Sequence, residues 1–427
     1  MRAKLQAMAR LSTIAIACVL SLGVGFSSVL DAVVSRVVTP AVDSRVALAA
    51  DGRGASTTYE VSYRSEISSL GFADSSVSAR VGFEDAWFIG DHASYNNDLA
   101  RTCAALSAAC NSQSRARMFD RGDAVVSLEN LGFEDIDASS YEGRSLVADE
   151  LLNIVEGETD VVAYVFAHRP LRDGRGGYAG ELVLVGVRGT YGSEWISNFN
   201  VGAQVSHEGF SRASAEVEAS LDAYLSWHHL DGEQVKLLLT GHSRGGAVAN
   251  LVAARLIDRA YAGEASWSTE DVRAYTFASP NASACGERTA SRYDSVFNVV
   301  NPADAVARVP LSSQGMGLFG ATVELPDSSQ DDSSASFGLM QKNRALLTGC
   351  NIEGEQPSSS RTLDALERSL DGLVSCAGSL GVLLHAVDVA SATVQLDLLS
   401  TVVAHSPDTY LSWLSVVDPA DLRFSTR

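Results

Sequence analysis

Ser243 lies between two glycines in the pentapeptide GHSRG at 241–245, which matches the pattern G-x-S-x-G. The apolar run VKLLLTG at 235–241 precedes the serine, and the helix-like segment AVANLVAARLIDRAYA follows it at once. Glycines on both sides of a serine allow a strand to turn sharply into a helix. Such a turn presents the hydroxyl at the helix N-terminus, where N–H groups favour an oxyanion. This context predicts Ser243 as a nucleophile.

A serine hydroxyl becomes nucleophilic when a base accepts its proton and a carboxylate orients that base. In chains with this kind of turn the order is serine, acid, histidine. Asp304 follows the strand-like segment SVFNVVN at 295–301, and only His385 and His405 come after it. His385 is embedded in the apolar run GVLLHAVDVA, which is typical of a core histidine, whereas His405 meets a turn-forming Ser-Pro-Asp. The sequence therefore predicts Asp304 as the acid and His405 as the base.

Three other histidines are interpreted differently. His242 is held in the tight turn next to the serine, and we expect it to point away from the hydroxyl. His228 and His229 end a polar helical segment. We expect both of them to be solvated.

Apolar strand-like runs alternate with helix-like segments after residue 159, which indicates an α/β fold with a mostly parallel sheet. A glycine-rich turn joins the first two runs, so they are predicted to form a hairpin. Residues 51–159 carry two helix-like segments, NNDLARTCAALSAAC and SLVADELLNIVEG, and no domain boundary. The segment LENLGFEDIDASSY between them is interpreted as a loop with short elements. The strand-like runs are 160–170, 181–190, 235–241, 272–280 and 295–301, and residues 210–230 have helical periodicity.

Several motifs in a fixed order, from about residue 181 to 311, resemble the class 3 lipase family of the α/β-hydrolase superfamily. The hallmark segments GHSRGG and VNPADAVARVP resemble that family's G-H-S-x-G-G and N-x-x-D-x-V-P patterns. The remaining matches are VGVRGTYGSEWISNF, HEGF and YTFASP. The resemblance implies an α/β-hydrolase fold with a central, mostly parallel sheet flanked by helices.

The resemblance also implies roles for individual residues. Ser243, Asp304 and His405 would form a catalytic triad, and Thr190 together with the backbone N–H of Arg244 would form an oxyanion hole. The position of Thr190 after a strand that ends in glycine supports the same role, because a backbone N–H and a hydroxyl can lie there beside a tetrahedral intermediate. The chain departs from the family pattern at Ala278, at Ala307, and in a long gap between the acid and the base.

The extra material in that gap, about residues 326–395, is interpreted as an insertion within a single hydrolase domain spanning 50–427. Just before it, Met316, Leu318 and Phe319 lie in a glycine-containing segment that follows the acid. We expect these apolar side chains to contact an acyl chain and to control access to the site.

The first 49 residues resemble a targeting segment. Arg2, Lys4 and Arg10 precede the uncharged run at 11–30, and Ala47-Leu48-Ala49 is a small-x-small cleavage signal. A cleaved signal peptide or an uncleaved membrane anchor both fit, because the run is about 20 residues long. Either alternative predicts a secreted or cell-surface protein.

Composition narrows the classes of partner. The chain of 427 residues is 46% apolar, which predicts a globular core, and its net charge of −20 disfavours nucleic acid and anionic membranes as electrostatic partners.

Six cysteines include one in the leader, so five remain. Cys103 and Cys110 share a helix face and could form either a disulfide or two core thiols. No metal or other cofactor is expected, and the sequence leaves the oligomeric state open.

These observations predict an exported serine carboxylester hydrolase, a lipase or esterase that acts on lipid or other ester substrates and contacts lipid interfaces. Two alternatives stay open: an acyltransferase or serine peptidase using the same turn, or a non-catalytic binding module on a hydrolase scaffold.

Overall fold

The computed structural model describes most of the region from residue 57 onward and one short upstream segment. The described residues are 38–40, 57–70, 76–89, 94–113, 121–141, 162–189, 207–230, 234–308, 315–327, 334–353, 355, 363–365, 367–368 and 403–425.

An eight-stranded sheet forms the centre of the molecule. Five adjacent strands, β6 to β10, run parallel, and antiparallel strands complete both edges. The strand order is β12-β10-β9-β8-β7-β6-β5-β4. The strands are β4 (Glu134–Asp137), β5 (Tyr164–Arg172), β6 (Tyr178–Val187), β7 (Val235–His242), β8 (Val272–Phe277), β9 (Val296–Val300), β10 (Ala321–Glu324) and β12 (Arg423–Ser425).

Helices cover both faces of this sheet, and the residues of β7 show why. Every residue of β7 is buried, with Leu237 and Leu239 in one hydrophobic cluster and Leu238 in the other. Since successive strand residues point to opposite faces, an uninterrupted apolar run is the pattern that a sheet covered on both sides requires. The helices are α1 (Glu66–Leu70), α2 (Asn97–Ser112), α3 (Asp123–Asn130), α4 (His207–Trp227), α5 (Arg244–Tyr261), α6 (Ser334–Thr348) and α7 (Pro407–Val416).

The two faces differ in which helices they carry. Helices α4 and α5 pack together on the face that contains Leu237 and Leu239. Helices α2, α3 and α7 lie on the side of Leu238, with α6 against α7. This three-layer α/β arrangement confirms the predicted fold class, and the antiparallel pairing of β5 with β6 confirms the predicted hairpin.

Two small sheets lie beside the central one. Strands β2 (Thr58–Arg64) and β3 (Ser76–Gly82) form an antiparallel pair, as do β1 (Val38–Pro40) and β11 (Cys350–Ile352). Strand β1 lies upstream of the Ala47-Leu48-Ala49 signal, so cleavage there would separate it from β11. Among the described helices, none combines the length and the apolar character that crossing a membrane requires.

Several sequence expectations can be compared with this structure. Residues 128–141, interpreted as a loop with short elements, contain strand β4, which adds to the sheet edge beside β5. Cys103 and Cys110 are two free, buried thiols on α2, so the disulfide alternative is wrong. The expected helix at 145–157, His385 and most of the 326–395 insertion lie outside the described residues.

Candidate active site

Ser243 lies at the junction of β7 and α5 in an unusual backbone conformation. Its φ and ψ are 57° and −128°, which few residues other than glycine adopt. The Ser243 N–H donates a 2.8 Å hydrogen bond to the carbonyl of Phe277 at the end of β8. The strand end and the neighbouring strand therefore hold the serine in this sharp turn, as the G-x-S-x-G pattern predicts.

The flanking glycines are required by close backbone approach. A Cβ on Gly241 would lie 2.4 Å from the carbonyl oxygen of Gly245. A Cβ on Gly245 would lie 2.4 Å from the Val187 carbonyl oxygen at the end of β6. Both contacts are with backbone atoms, which cannot rotate away. The turn can therefore form at the carboxyl edge of the sheet only with glycine at these two positions.

Three side chains from separate parts of the chain meet at this edge. His405 Nε2 lies 3.0 Å from Ser243 Oγ, and His405 Nδ1 lies 2.9 Å from Asp304 Oδ2. The serine, histidine and aspartate are buried, with 6%, 2% and 0% of their surface exposed to solvent. The arrangement is a hydrogen-bonded chain from a buried carboxylate through an imidazole to a hydroxyl, formed by the three residues that the sequence predicted.

Asp304 is held by contacts to both of its carboxylate oxygens. The backbone N–H of Val306 donates to Oδ1 at 2.9 Å, and the Tyr410 hydroxyl donates to Oδ2 at 2.8 Å. Its own N–H donates to the Asn301 carbonyl at 2.9 Å. With three donors on the carboxylate, including His405, its orientation is determined by the loop after β9 and by α7.

His405 is positioned partly through its own backbone. The Nε2–H of His242 donates to the His405 carbonyl at 2.8 Å, and the two rings lie 4.9 Å apart. Burial, and then the nearby charge of His405, lower the pKa of His242 well below its usual value. His242 is therefore a neutral donor that supports the His405 loop. This agrees with the expectation that it does not serve the hydroxyl.

The segment after His405 is anchored by a buried carboxylate, Asp408, near the start of α7. Asp408 Oδ1 accepts from the Tyr63 hydroxyl at 2.8 Å, and Oδ2 accepts from the Ser65 hydroxyl at 2.8 Å and from the Ile67 N–H at 3.2 Å. Ser406 caps the helix by accepting from the Asp408 N–H. Residues 63–67, far away in the sequence, thus tie down the turn that follows the histidine.

The predicted oxyanion hole is only partly within the described residues. Arg244 is the first residue of α5, directly after the serine, so its N–H belongs to the helix terminus. Thr190 lies outside the described residues, but its neighbour Gly189 donates a 2.7 Å hydrogen bond to Asn111 Oδ1. A Cβ on Gly189 would lie 2.3 Å from the His242 carbonyl oxygen, so this strand end passes directly beside the serine turn.

The three predicted acyl-chain residues do not lie at this edge. Leu318 and Phe319 are buried against α4 and α5 in the cluster on that face, and the Phe319 ring packs on Tyr293 at 4.9 Å. They precede β10 at its amino end, whereas Ser243 follows β7 at its carboxyl end. Met316, half-buried, is in the same segment. The predicted contact with an acyl chain is therefore wrong, because the parallel strands separate these side chains from the serine.

Of the two histidines after α4, His229 is exposed as expected, whereas His228 differs from expectation. His228 packs on the Tyr224 ring at 4.4 Å between centroids and approaches Asp135, so it is half-buried rather than solvated. Among the described residues, one group has the composition and spacing of metal ligands, namely Asp135, His168 and His228, and it is not part of the serine site.

Sequence reasoning missed the residues that hold the chain of side chains in place. Tyr410 and Asn111 carry no motif of their own, because their partners are distant in sequence. Ser406 and Asp408 could have been recognised as a helix start, since a serine followed by proline and aspartate is a typical N-terminal signal.

Comparison with known proteins identifies related sequences and structures. The family model described as "Lipase (class 3)" matches residues 185–314. A curated relative, secreted mono- and diacylglycerol lipase 1 of Fusarium solani, is 33% identical over 113 residues, which are 24% of this chain and 31% of the relative. The chain thus spans about a third of that relative's length.

Two solved structures among those that match are fungal lipases. The Rhizomucor miehei lipase propeptide complex is 20% identical with a TM-score of 0.28, over 40% of this chain and 55% of that one. The lipase of Rhizopus microsporus var. chinensis is 17% identical with a TM-score of 0.32, over 53% of this chain and 73% of that one. The segment 185–314, which is similar to class 3 lipases, contains β7, the serine turn and the Asp304 loop.

Proposed function

We propose that the protein is an exported serine carboxylester hydrolase, a lipase that acts on lipid esters. The observation that carries this proposal is the buried hydrogen-bond chain from Asp304 through His405 to Ser243 at the carboxyl edge of the sheet. Nucleophile, base and orienting carboxylate are the groups that acyl transfer through a serine requires.

In the proposed first half-reaction, Ser243 Oγ attacks the ester carbonyl carbon while His405 Nε2 accepts the hydroxyl proton. The carbonyl oxygen becomes an oxyanion, which the N–H of Arg244 and the groups of Thr190 would stabilise. His405 then donates the proton to the departing alkoxide, and the acyl group stays on the serine. Asp304 keeps the imidazole in the required tautomer and stabilises its positive charge.

In the second half-reaction a water molecule takes the place of the alcohol. His405 accepts a proton from the water as the water attacks the acyl-serine, and it returns that proton to Ser243 Oγ as the carboxylic acid leaves. The cycle regenerates the enzyme and is balanced by one ester, one water, one alcohol and one acid. No cofactor enters this sequence of steps.

The substrate class rests on the family and on the curated relative. The relative's name describes a lipase of mono- and diacylglycerols, so glycerol esters are the first substrates to test here. The same name includes the word secreted, which supports export together with the basic, then apolar, N-terminal segment. Peptide mass analysis of the secreted protein would distinguish cleavage near Ala49 from an uncleaved anchor.

A fluorophosphonate probe tests the proposal directly, because it reacts with activated serines and not with ordinary ones. We expect labelling of the purified full chain at Ser243, located by peptide mass spectrometry, and loss of that label in Ser243→Ala. The matched control is Ser279→Ala, which removes another buried serine hydroxyl near the same turn.

The labelled protein is then assayed on p-nitrophenyl esters, emulsified glycerides and peptides. Hydrolysis of esters without peptide cleavage supports the proposal. Labelling with peptide cleavage, or with acyl transfer to an alcohol in place of hydrolysis, would keep the nucleophile but overturn the substrate class. A protein that folds and takes no label would be a binding module on this scaffold.

A further inference from the structure

Three potential metal-binding atoms converge at the edge of the sheet where β4 and β5 meet the end of α4. His168 Nε2 lies 3.7 Å and His228 Nδ1 lies 3.5 Å from the same oxygen, Asp135 Oδ2. One ligand atom from each residue falls within 4.8 Å of the other two. The two nitrogen–oxygen separations are at or beyond the outer limit of a hydrogen bond, so the atoms face one another without bonding well to each other.

The hydrogen bonds of Tyr224 determine which His168 nitrogen carries a proton. The single hydroxyl hydrogen of Tyr224 is donated to the backbone carbonyl of Asp135 at 2.9 Å. The same hydroxyl oxygen lies 2.9 Å from His168 Nδ1, so it must accept, and Nδ1 must donate. A neutral His168 therefore has its lone pair on Nε2, the nitrogen that lies by the Asp135 carboxylate.

A nitrogen lone pair beside a carboxylate oxygen is unfavourable unless a cation lies between them. Histidine ligands in metal sites commonly donate their second ring N–H to a neighbouring oxygen, which fixes the tautomer and the ring orientation. Tyr224 has this relationship to His168. Two further carboxylates make the surroundings of these three residues negative. The charge of Glu134 acts on His168, and the charge of Asp137 acts on Tyr224.

We propose that Asp135, His168 and His228 form a binding site for a divalent transition metal, with Zn²⁺ as the ion that the donor set suits best. Two imidazole nitrogens and one carboxylate oxygen are ligands that Zn²⁺ accepts at about 2.0–2.2 Å. In a tetrahedral site such bond lengths place neighbouring ligands about 3.4 Å apart, close to the 3.5 and 3.7 Å separations found here. The exposed side of Asp135 leaves the fourth position to water.

The metal at this site would be structural. His168 lies within β5, Asp135 within the edge strand β4, and His228 just beyond the last residue of α4. An ion bound to all three would tie the outer edge of the sheet to the end of the helix that covers it. His168 pairs with Val183, near the amino end of the parallel strands, so the site is remote from Ser243. Binding should therefore raise stability and leave ester turnover unchanged.

The test uses tag-free full chain treated with EDTA and then dialysed, in a Cys285→Ser background because that thiol is exposed. Zn²⁺ is titrated by calorimetry, and melting temperature is measured with and without the ion. We expect one Zn²⁺ per chain and a higher melting temperature. His228→Gln and Asp135→Asn should each weaken binding about tenfold or more. Asparagine suits the left-handed φ of 48° at position 135, so that variant should fold.

His229→Asn is the matched control, because it removes the adjacent histidine, which is outside the group and also has a positive φ of 58°. It should bind Zn²⁺ like the unsubstituted protein. Absence of stoichiometric binding would overturn the proposal, as would equal affinities in His228→Gln and in the control, or a preference for Ca²⁺ over Zn²⁺. Each result is independent of whether the serine site hydrolyses esters.

Discussion

The Tyr410 hydroxyl donates a 2.8 Å hydrogen bond to Oδ2 of Asp304, the oxygen that also contacts His405 Nδ1. Tyrosine and aspartate are both fully buried. Burial, followed by the charge of Asp304, raises the pKa of Tyr410 well above its usual value, so the hydroxyl stays protonated. Since α7 begins two residues after His405, this helix orients the histidine and the carboxylate together. Tyr410 is therefore a positioning residue.

We predict that Tyr410→Phe lowers kcat on a soluble ester about tenfold or more. Hydrogen bonds to charged groups contribute about 1.5–3 kcal/mol, and here one of the donors that orient Asp304 is removed. Tyr293→Phe is the control, since Tyr293 is also buried and donates to an aspartate, Asp258, away from the serine. Similar losses of kcat in both variants would mean that Tyr410 acts only through general stability.

His405→Ala should reduce ester hydrolysis as severely as Ser243→Ala, because the members of a triad act as a unit and their losses are not additive. The comparison is made by kcat/KM on a p-nitrophenyl ester, with folding checked by circular dichroism. His385→Ala should retain most of the activity. Activity above about a tenth of the unsubstituted level in His405→Ala would show that another group is the base.

Gly245→Ala should abolish fluorophosphonate labelling, because its Cβ would lie 2.4 Å from a backbone oxygen at the end of β6. Relief requires α5 to move away from the sheet, which displaces the serine. Gly286→Ala is the control, since its Cβ would meet no atom within 4 Å. The measurement is labelling rate at matched protein concentration, and full labelling of Gly245→Ala would contradict the close approach on which the turn depends.

The serine turn could be predicted from the sequence because its determinants are local. Two glycines, an apolar strand and a helix follow one another within a short stretch, and each restricts the backbone directly. Asp304 and His405 could be predicted because each comes at a recognisable junction between an apolar run and a turn. The parallel sheet could be predicted for a similar reason, since its buried strands, such as β7, are continuous apolar runs.

Tertiary contacts decided the features that could not be predicted. Leu318 and Phe319 looked like substrate contacts because they follow the acid along the chain, but the direction of β10 places them at the opposite end of the sheet. Strand β4 could not be recognised in its polar stretch, because its own residue pattern does not indicate a strand. It forms by pairing with β5. His168 and His228 become neighbours only when α4 packs against β5.

The corrected position of Phe319 reverses an expectation about substitution. We predict that Phe319→Ala lowers stability by about 3–5 kcal/mol, as for other buried phenylalanines, without changing the ratio of activities on long-chain and acetate esters. Phe424→Ala removes a phenylalanine side chain that is 53% exposed, so it should lower stability much less. Urea unfolding and paired ester assays measure both quantities. A selective loss on long-chain esters would restore Phe319 to the substrate path.

His242 predicts how stability depends on pH. Its pKa in the folded protein lies well below the ordinary value of 6.5, chiefly because it is buried and then because His405 is near. The unfolded chain therefore binds a proton at this histidine at a pH where the folded chain does not. The contribution to stability is present above about pH 6.5 and is lost as pH falls below it, by up to about 1.4 kcal/mol per pH unit.

The test compares the unsubstituted protein with His242→Gln, whose amide can still donate to the His405 carbonyl but does not titrate. Urea unfolding free energies are measured at about pH 7.5, 6.5 and 5.5. Between pH 6.5 and 5.5 we expect the unsubstituted protein to lose more stability than His242→Gln, with a slope that is steeper by up to about 1.4 kcal/mol per pH unit. Above pH 6.5 the slopes of the two proteins should differ little. Because His405 and the other histidines are present in both proteins, the difference in slope isolates His242. Parallel curves throughout would mean that the folded protein accommodates a charged His242, and that its hydrogen bond to the His405 loop does not depend on the neutral ring.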